Sequence, residues 1–165
     1  MKQSYLSCLL LFVIVCVMSV PVYALLELSV TTNQDFYLPG ETVEVYVSVT
    51  NTGFLPTTLS FSNSLEATYV MDDTYDWSSS LVVLPMTHEL TINGGQTLTW
   101  QLDHDAYHQG KYPLGVGLHM VQGSCTALQM FGQLSDPVLF EVIPEPATLA
   151  LMALGAMLTR IKRKN

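Results

Sequence analysis

Cysteine is scarce in this sequence. Two of the three cysteines, Cys8 and Cys16, lie in an N-terminal apolar segment, which leaves Cys125 alone in the rest of the chain. A single cysteine cannot build an intramolecular disulfide framework, so an apolar core must hold the domain together. We expect Cys125 to be a buried, unreactive thiol rather than a site of intermolecular pairing.

Basic residues are almost absent between residues 27 and 145. That interval holds all 14 carboxylates and one basic residue, Lys111, which gives it a formal net charge of −13. Such a domain should repel nucleic acid and anionic membrane surfaces, because both carry negative charge. Cations, basic proteins and neutral glycans stay open as partners, and an acidic surface that only keeps the protein in solution is the simplest interpretation.

Catalytic motifs are also missing. The sequence contains no G-x-S-x-G, no H-E-x-x-H and no phosphate-binding glycine loop. Cys125 and a histidine (His88, His104, His108 or His119) would formally supply a nucleophile and a base, but nothing in the sequence brings them together. We therefore predict a protein that is not an enzyme and that needs no cofactor.

The N-terminus has the features of a secretory signal peptide. Lys2 precedes an unbroken apolar run over residues 9–18, and the small residues Val22 and Ala24 follow it. We predict a signal helix within residues 1–24 and cleavage after Ala24. The alternative is an uncleaved anchor, but the run is shorter than the ~20 apolar residues of a stable membrane span.

Alternation with a period of two residues dominates the middle of the chain. In the stretch ETVEVYVSVTNTG, residues 41–53, four valines alternate with polar residues, so one face of this strand should pack on a core. The turn-forming residues Pro39-Gly40 and Asn51-Thr52-Gly53 flank it. Further strands are predicted at Leu26–Thr32, Thr57–Phe61, Ala67–Met71, 81–84, His88–Ile92, 97–102, 112–121 and 138–143, and residues 122–137 are predicted to form a long loop.

This pattern predicts an all-β domain. Seven to nine short strands within about 120 residues are typical of an immunoglobulin-like antiparallel β-sandwich, which we assign to residues 25–143. No window outside the termini shows helical periodicity. The predicted sandwich is flanked by the N-terminal signal helix and by a short C-terminal transmembrane helix.

A set of turn, aromatic and core positions in residues 43–120 is typical of one known domain family: Asn51, Phe61, Ser62, Asn63, Tyr69, Asp72, Trp77, Ser78, Gly95, Trp100, Gly110 and Tyr112. Through these positions the chain resembles the BsuPI-like family, which is named for an intracellular proteinase inhibitor. The resemblance implies the same sandwich, and it implies an alternative function as a proteinase inhibitor that presents an exposed loop.

The stretch DHDAYH, residues 103–108, is the densest group of polar side chains and a weak candidate for a metal site. Asp103, His104, Asp105 and His108 offer carboxylate oxygens to hard ions and imidazole nitrogens to zinc. On a strand the two aspartates would share a face while His104 points away, so a zinc site would need further ligands. A solvated loop at a strand end is the simpler interpretation.

Two tryptophans, Trp77 and Trp100, are expected in the core, where large rings are common in sandwiches. Exposure of both would instead favour a surface that binds glycan or protein.

The C-terminal stretch VIPEPATLALMALGAMLTRIKRKN contains Pro144, Glu145 and Pro146, then 13 uncharged residues at 147–159, then a basic tail at 160–164. The prolines should end regular structure. A helix over the uncharged residues would cover about 20 Å, which is short of the ~30 Å hydrocarbon core. The basic tail would keep the C-terminus cytoplasmic and the acidic domain outside.

The order and spacing of these parts closely resemble the PEP-CTERM sorting signal, which we assign to residues 144–165. The resemblance implies transient insertion in the inner membrane, recognition by an exosortase-type processing enzyme, and delivery to the cell envelope or extracellular matrix, where an exopolysaccharide or another envelope protein is a possible partner. A permanent C-terminal anchor is the alternative. The sequence thus predicts an exported, non-enzymatic binding or structural protein.

Overall fold

The computed structural model describes residues 26–146 and 150–151. The predicted signal peptide, with its cleavage after Ala24, lies outside these residues, as does most of the predicted C-terminal helix. The elements in chain order are β1 (Leu26–Thr32), β2 (Phe36–Tyr37), β3 (Val43–Asn51), β4 (Thr57–Phe61), β5 (Ala67–Met71), β6 (Tyr75–Asp76), a short 3-10 helix (Trp77–Ser80), β7 (His88–Ile92), β8 (Thr97–His104), α1 (Ala106–Lys111), β9 (Gly117–Cys125), a second 3-10 helix (Leu128–Met130) and β10 (Val138–Val142).

The strands form three sheets. One has three strands in the order β1-β3-β8, one has five in the order β2-β10-β9-β5-β6, and β4 pairs with β7 in a third. The predicted all-β sandwich is confirmed at this level. One departure from the predicted antiparallel arrangement is the parallel pairing of β2 with β10, which joins Phe36 to Glu141 and Tyr37 to Val142. These strands are far apart in sequence, so no hairpin fixes their direction.

The core lies between the two larger sheets. Strand β3 shows this, because buried and half-buried residues alternate strictly along it. Its valines at 43, 45, 47 and 49 are all 0% exposed, and burial of each contributes about 1.5 to 3 kcal/mol relative to an exposed side chain. The five-stranded sheet supplies the opposing side chains, Tyr69, Met71, Val121, Phe140 and Val142.

The β5–β6 hairpin turns at Asp72 and Asp73, which have φ angles of 50° and 57°. Two successive left-handed residues are typical of a type I′ turn, which the hydrogen bond from the Thr74 N–H to the Met71 oxygen closes at 3.0 Å. Because Met71 pairs with Tyr75, the hairpin loop has three residues. The Asp72 carboxylate accepts hydrogen bonds from the Met120 N–H and His119 Nδ1, both at 2.8 Å. Burial alone would raise the pKa of Asp72, but these bonds outweigh it and lower the pKa.

Two predicted strand boundaries at β9 are wrong. Residues 112–116 are not in a strand. Strand β9 begins at Gly117, which pairs with Val142, the last residue of β10, and Pro113 has no N–H for a ladder. Residues 122–125, predicted as the start of a loop, continue β9 and pair with β5. Gly123 lies in this part of β9, where there is little room for a side chain: a Cβ on it would lie 3.0 Å from Val47 Cγ2.

The predicted strand at residues 81–84 is also wrong. This apolar run lacks alternation and lies in an irregular, exposed connection before β7. Strands β2 and β6 were missed because each has two residues, and α1 was missed because six residues are too few for a helical period to appear.

Candidate functional site

His104, one of the four candidate metal ligands, is fully buried and uses both ring nitrogens in hydrogen bonds. The Tyr112 backbone oxygen lies 2.9 Å from Nε2, and since a carbonyl only accepts, Nε2 must carry the proton. Nδ1 therefore accepts from the Tyr69 hydroxyl at 2.9 Å. Burial lowers the pKa of His104 and favours the neutral ring. Its one ring lone pair, on Nδ1, accepts the Tyr69 hydrogen bond and is therefore not free for a metal ion.

Asp105 and His108 define the start of α1. The Asp105 Oδ1 atom accepts from the backbone N–H groups of Tyr107 and His108, both at 3.1 Å, and from His108 Nδ1 at 2.7 Å. The bonds from His108 lower the pKa of the Asp105 carboxyl. This is the geometry of a helix N-cap, which satisfies backbone donors that have no partner within the helix.

Asp103 lies apart from this pair, with its carboxylate 3.0 Å from Gln101 Nε2. The four candidate ligands are thus divided among a core network, a helix cap and a strand surface. Within residues 26–146 and 150–151, no group of three or more His, Cys, Asp or Glu side chains is arranged to hold a metal ion.

Cys125 is a free, buried cysteine, as predicted. Burial raises the pKa of its thiol, so the reactive thiolate is disfavoured further at neutral pH. The side chain packs in the smaller apolar cluster of the core, with Leu59, Phe61 and Ile92. These properties are those of a packing residue.

The two tryptophans line an open groove of about 250 Å³, which we call the indole groove. Both are half-buried, with one side against the core as predicted and another side on the groove. Trp77 Nε1 donates to the Asp103 backbone oxygen at 3.2 Å, and Trp100 Nε1 donates to Glu66 Oε2 at 2.5 Å. The indole rings are therefore fixed, since burial and a hydrogen bond hold each one.

Glu66 connects the indole groove to a second recess. Its other oxygen lies 2.8 Å from His88 Nε2, and the His88 ring stacks on Phe61 with centroids 4.8 Å apart. His88 and Phe61 line a recess of about 350 Å³, together with Ser60, Ser62 and Leu128. Glu66 could not be identified from the sequence, because a single carboxylate before a strand belongs to no motif.

The connection over residues 81–86 exposes a run of apolar side chains, which we call the apolar loop. Val82 is 89% exposed, and Leu84 and Met86 are more than half exposed. Two hydrogen bonds hold the loop at its middle: Leu84 N–H donates to Ser64 Oγ at 3.0 Å, and Ser64 N–H donates to the Leu84 oxygen at 2.9 Å. The loop thus presents apolar side chains from a fixed backbone.

The predicted sorting motif directly follows the last strand. Ile143 still donates its N–H to the Tyr37 oxygen at 2.9 Å, and Pro144, which has no N–H, ends this pairing. Glu145 and Pro146 are exposed. In the part of the chain that the structure describes, no helix has the length and apolar character needed to cross a membrane.

These features define a small all-β sandwich domain joined to a sorting segment. The chain belongs to the BsuPI family (Intracellular proteinase inhibitor), whose model matches residues 30–123, more than half of the chain. The model of the PEP-CTERM protein-sorting motif matches residues 142–164. Both resemblances seen in the sequence are confirmed, and the sorting motif implies export, recognition by an exosortase and sorting to the cell envelope.

No curated protein matches the chain. Similar solved structures include a β-glucosidase from Erythrobacter marinus (11% identity, TM-score 0.44, 72% of this chain and 15% of that chain) and a β-glucosidase from Listeria innocua (16%, 0.43, 74% and 16%). Another is a CARDB domain from Pyrococcus furiosus in complex with di-metal ions (11%, 0.47, 75% and 97%). The chain thus spans only 15% to 16% of the length of the two glucosidases.

Proposed function

We propose that this chain is an exported, non-enzymatic binding or structural protein whose immunoglobulin-like sandwich reaches the cell envelope or extracellular matrix through exosortase recognition of its tail. One observation carries the proposal. Strand β10 ends at Val142, and the match to the sorting motif begins at residue 142. Sorting segment and domain therefore meet without a linker. Within the proposed division into residues 1–24, 25–143 and 144–165, this supports the boundary between residues 143 and 144.

The non-enzymatic part of the proposal is supported by how the reactive side chains are used. His104 is bonded at both nitrogens, His108 holds the helix cap, and Cys125 is buried in apolar surroundings. General base and nucleophile need free access to a substrate. These three groups serve the fold instead.

The indole groove is the surface we propose for binding, and a neutral glycan is the ligand class it fits. Sugar rings pack on aromatic side chains, and the Glu66 carboxylate has lone pairs that can accept further bonds from hydroxyl groups. The formal net charge of −13 over residues 27–145 disfavours binding of an anionic polysaccharide. A neutral matrix exopolysaccharide is therefore the proposed partner.

Replacing Pro144, Glu145 and Pro146 together by alanine should stop processing in the native host. We expect the variant to stay in the inner-membrane fraction with its C-terminus intact, because the enzyme would no longer recognise the tail. Cell fractionation followed by immunoblotting with antibodies to the sandwich and to the C-terminus measures this. The matched control, Pro85→Ala with Glu89→Ala, changes exposed residues outside the motif and should sort normally. Normal sorting of the triple variant would refute the proposed role of the motif.

A second candidate function is inhibition of a proteinase. The family supports it, and so does the apolar loop, whose fixed backbone and exposed Val82 and Leu84 side chains suit the subsites of a protease. In protein–protein interfaces, a few side chains that fill pockets of the partner commonly supply most of the binding energy.

If the apolar loop is inhibitory, Val82→Asp should weaken inhibition of the target protease at least about 30-fold, the effect of losing an anchor of ~2 kcal/mol. Inhibition constants against a panel of secreted serine proteases measure this. Phe54→Asp is the control, because Phe54 is equally exposed at 93% in another loop. No inhibition by the unaltered protein at micromolar concentration would eliminate this function.

A further inference from the structure

The outer side of the five-stranded sheet, opposite the core, is apolar along three strands. Six exposed residues make up this surface, which we call the outer face: Phe36, Leu38, Val116, Leu118, Leu139 and Ile143. Phe36, Leu118 and Leu139 are 58%, 67% and 55% exposed. A cluster of exposed apolar side chains of this kind marks a surface that contacts a membrane or another protein.

Strand register places the apolar residues around Glu141. This residue of β10 pairs with Phe36 on one side and with Leu118 on the other. Leu139 and Ile143 lie two residues before and after Glu141, hence on the same side of the sheet. Neighbouring strands are about 4.8 Å apart, so Phe36 and Leu118 lie about 10 Å apart, and the apolar residues surround one carboxylate.

The patch lies where the chain leaves the domain. Only Pro144, Glu145 and Pro146 separate Ile143 from the uncharged segment at residues 147–159. From Ile143 to the first residue of that segment the chain takes four steps, which span at most about 14 Å even when fully extended. With the uncharged segment inserted in a bilayer, the Ile143 end of the outer face must therefore lie within about 14 Å of the membrane interface.

The same end of the sandwich carries further residues suited to an interface. Helix α1 is tied to the connection after β2 by the bond from Gln109 Nε2 to the Glu41 backbone oxygen at 2.7 Å. It exposes Tyr107 and the domain's one basic residue, Lys111, whose ammonium group lies 5.8 Å from the centre of the Tyr107 ring. Aromatic rings with polar tips and long basic side chains are typical of membrane interfaces.

We propose that the outer face rests on the lipid bilayer interface while the tail is inserted, so that the sandwich is held against the membrane in one orientation. The inference rests on the proposed function, since it requires the inserted tail. The contact is apolar rather than electrostatic, because residues 27–145 carry a formal net charge of −13. Glu141, exposed within the face, stays in the hydrated headgroup layer.

Depth-dependent fluorescence quenching in zwitterionic phosphatidylcholine vesicles tests the proposal. Full chains with Cys8→Ser and Cys16→Ser, in which Cys125 stays protected by burial, carry an environment-sensitive dye at one added cysteine. Leu118→Cys reports on the outer face and Leu151→Cys on the tail. Phe54→Cys reports on the opposite end of the sandwich, since the nine residues of β3 separate the two ends by about 30 Å.

With nitroxide lipids labelled near the headgroup, we expect the Leu118→Cys dye to be quenched at least threefold more than the Phe54→Cys dye, and the Leu151→Cys dye to be quenched by deeper labels. Equal quenching at Leu118 and Phe54 with a quenched tail would overturn the inference alone. A dye at Leu118 that is shielded from water but not quenched would overturn it in favour of a protein partner or a second copy. An unquenched tail would overturn both the inference and tail insertion.

Discussion

Asn51→Ala should lower the free energy of unfolding by about 2 to 4 kcal/mol, because the side chain satisfies several buried backbone groups and each one left unpaired costs about 1 to 3 kcal/mol. Asn51 is 0% exposed. Its Nδ2 donates to the Leu55 oxygen at 2.7 Å and the Ile92 oxygen at 3.0 Å, and its Oδ1 accepts from the Gly53 N–H at 3.0 Å. The side chain thereby joins the end of β3 to β4 and β7.

Urea denaturation followed by tryptophan fluorescence measures this effect. Asn93→Ala is the matched control, because Asn93 is exposed and its side chain bonds only to Gln96 Oε1, at 2.9 Å. We expect a loss of less than about 1 kcal/mol for the control, in line with a single exposed hydrogen bond. Equal losses for the two variants would mean that the Asn51 bonds do not organise this end of the sandwich.

His104→Ala should be at least as damaging, with a loss of about 3 to 5 kcal/mol in the free energy of unfolding. The change removes a fully buried ring and leaves the Tyr69 hydroxyl and the Tyr112 oxygen without their partner. This result would distinguish a structural role of His104 from a catalytic one, since a hydrolase that used His104 would lose activity without unfolding.

A double-mutant cycle sharpens the test. Tyr69→Phe removes the same hydrogen bond from the other side and should cost about 1 to 3 kcal/mol. Because the two residues share that bond, the double variant should be less destabilised than the sum of the single variants by at least about 0.5 kcal/mol. Strict additivity in urea denaturation would show that the Tyr69–His104 bond contributes nothing to stability.

Much of the fold could be predicted where strands alternate and turns contain proline, glycine or asparagine. The bounds of β1, β4, β5 and β7 match the prediction to the residue, and the valines of β3 identify the core. Prediction failed where tertiary contacts override local pattern. Residues 122–137 were predicted as a loop, yet residues 122–125 continue β9, and Gly123 allows the close approach of this strand to Val47. The run at residues 81–84 looked like a buried strand, yet it is the exposed apolar loop.

The candidate sites also divide into those that a local sequence pattern predicts and those that depend on tertiary contacts. The motif at Pro144, Glu145 and Pro146 is contiguous, so the sequence was sufficient to find it. Glu66 is joined to Trp100 and His88 by hydrogen bonds across 34 and 22 positions of the chain, and no local signal marks such a contact. The DHDAYH stretch is contiguous too, but backbone direction sends His104 into the core and uses Asp105 as a helix cap.

The central claim is that this BsuPI-family domain is exported and released by processing of its tail, and intact-mass analysis of the protein from its native envelope fraction tests it most directly. The account predicts one mass that lacks residues 1–24 and the segment beyond the Pro144–Pro146 motif. A mass that still includes the C-terminal residues through Asn165 would contradict it and would favour a permanent anchor.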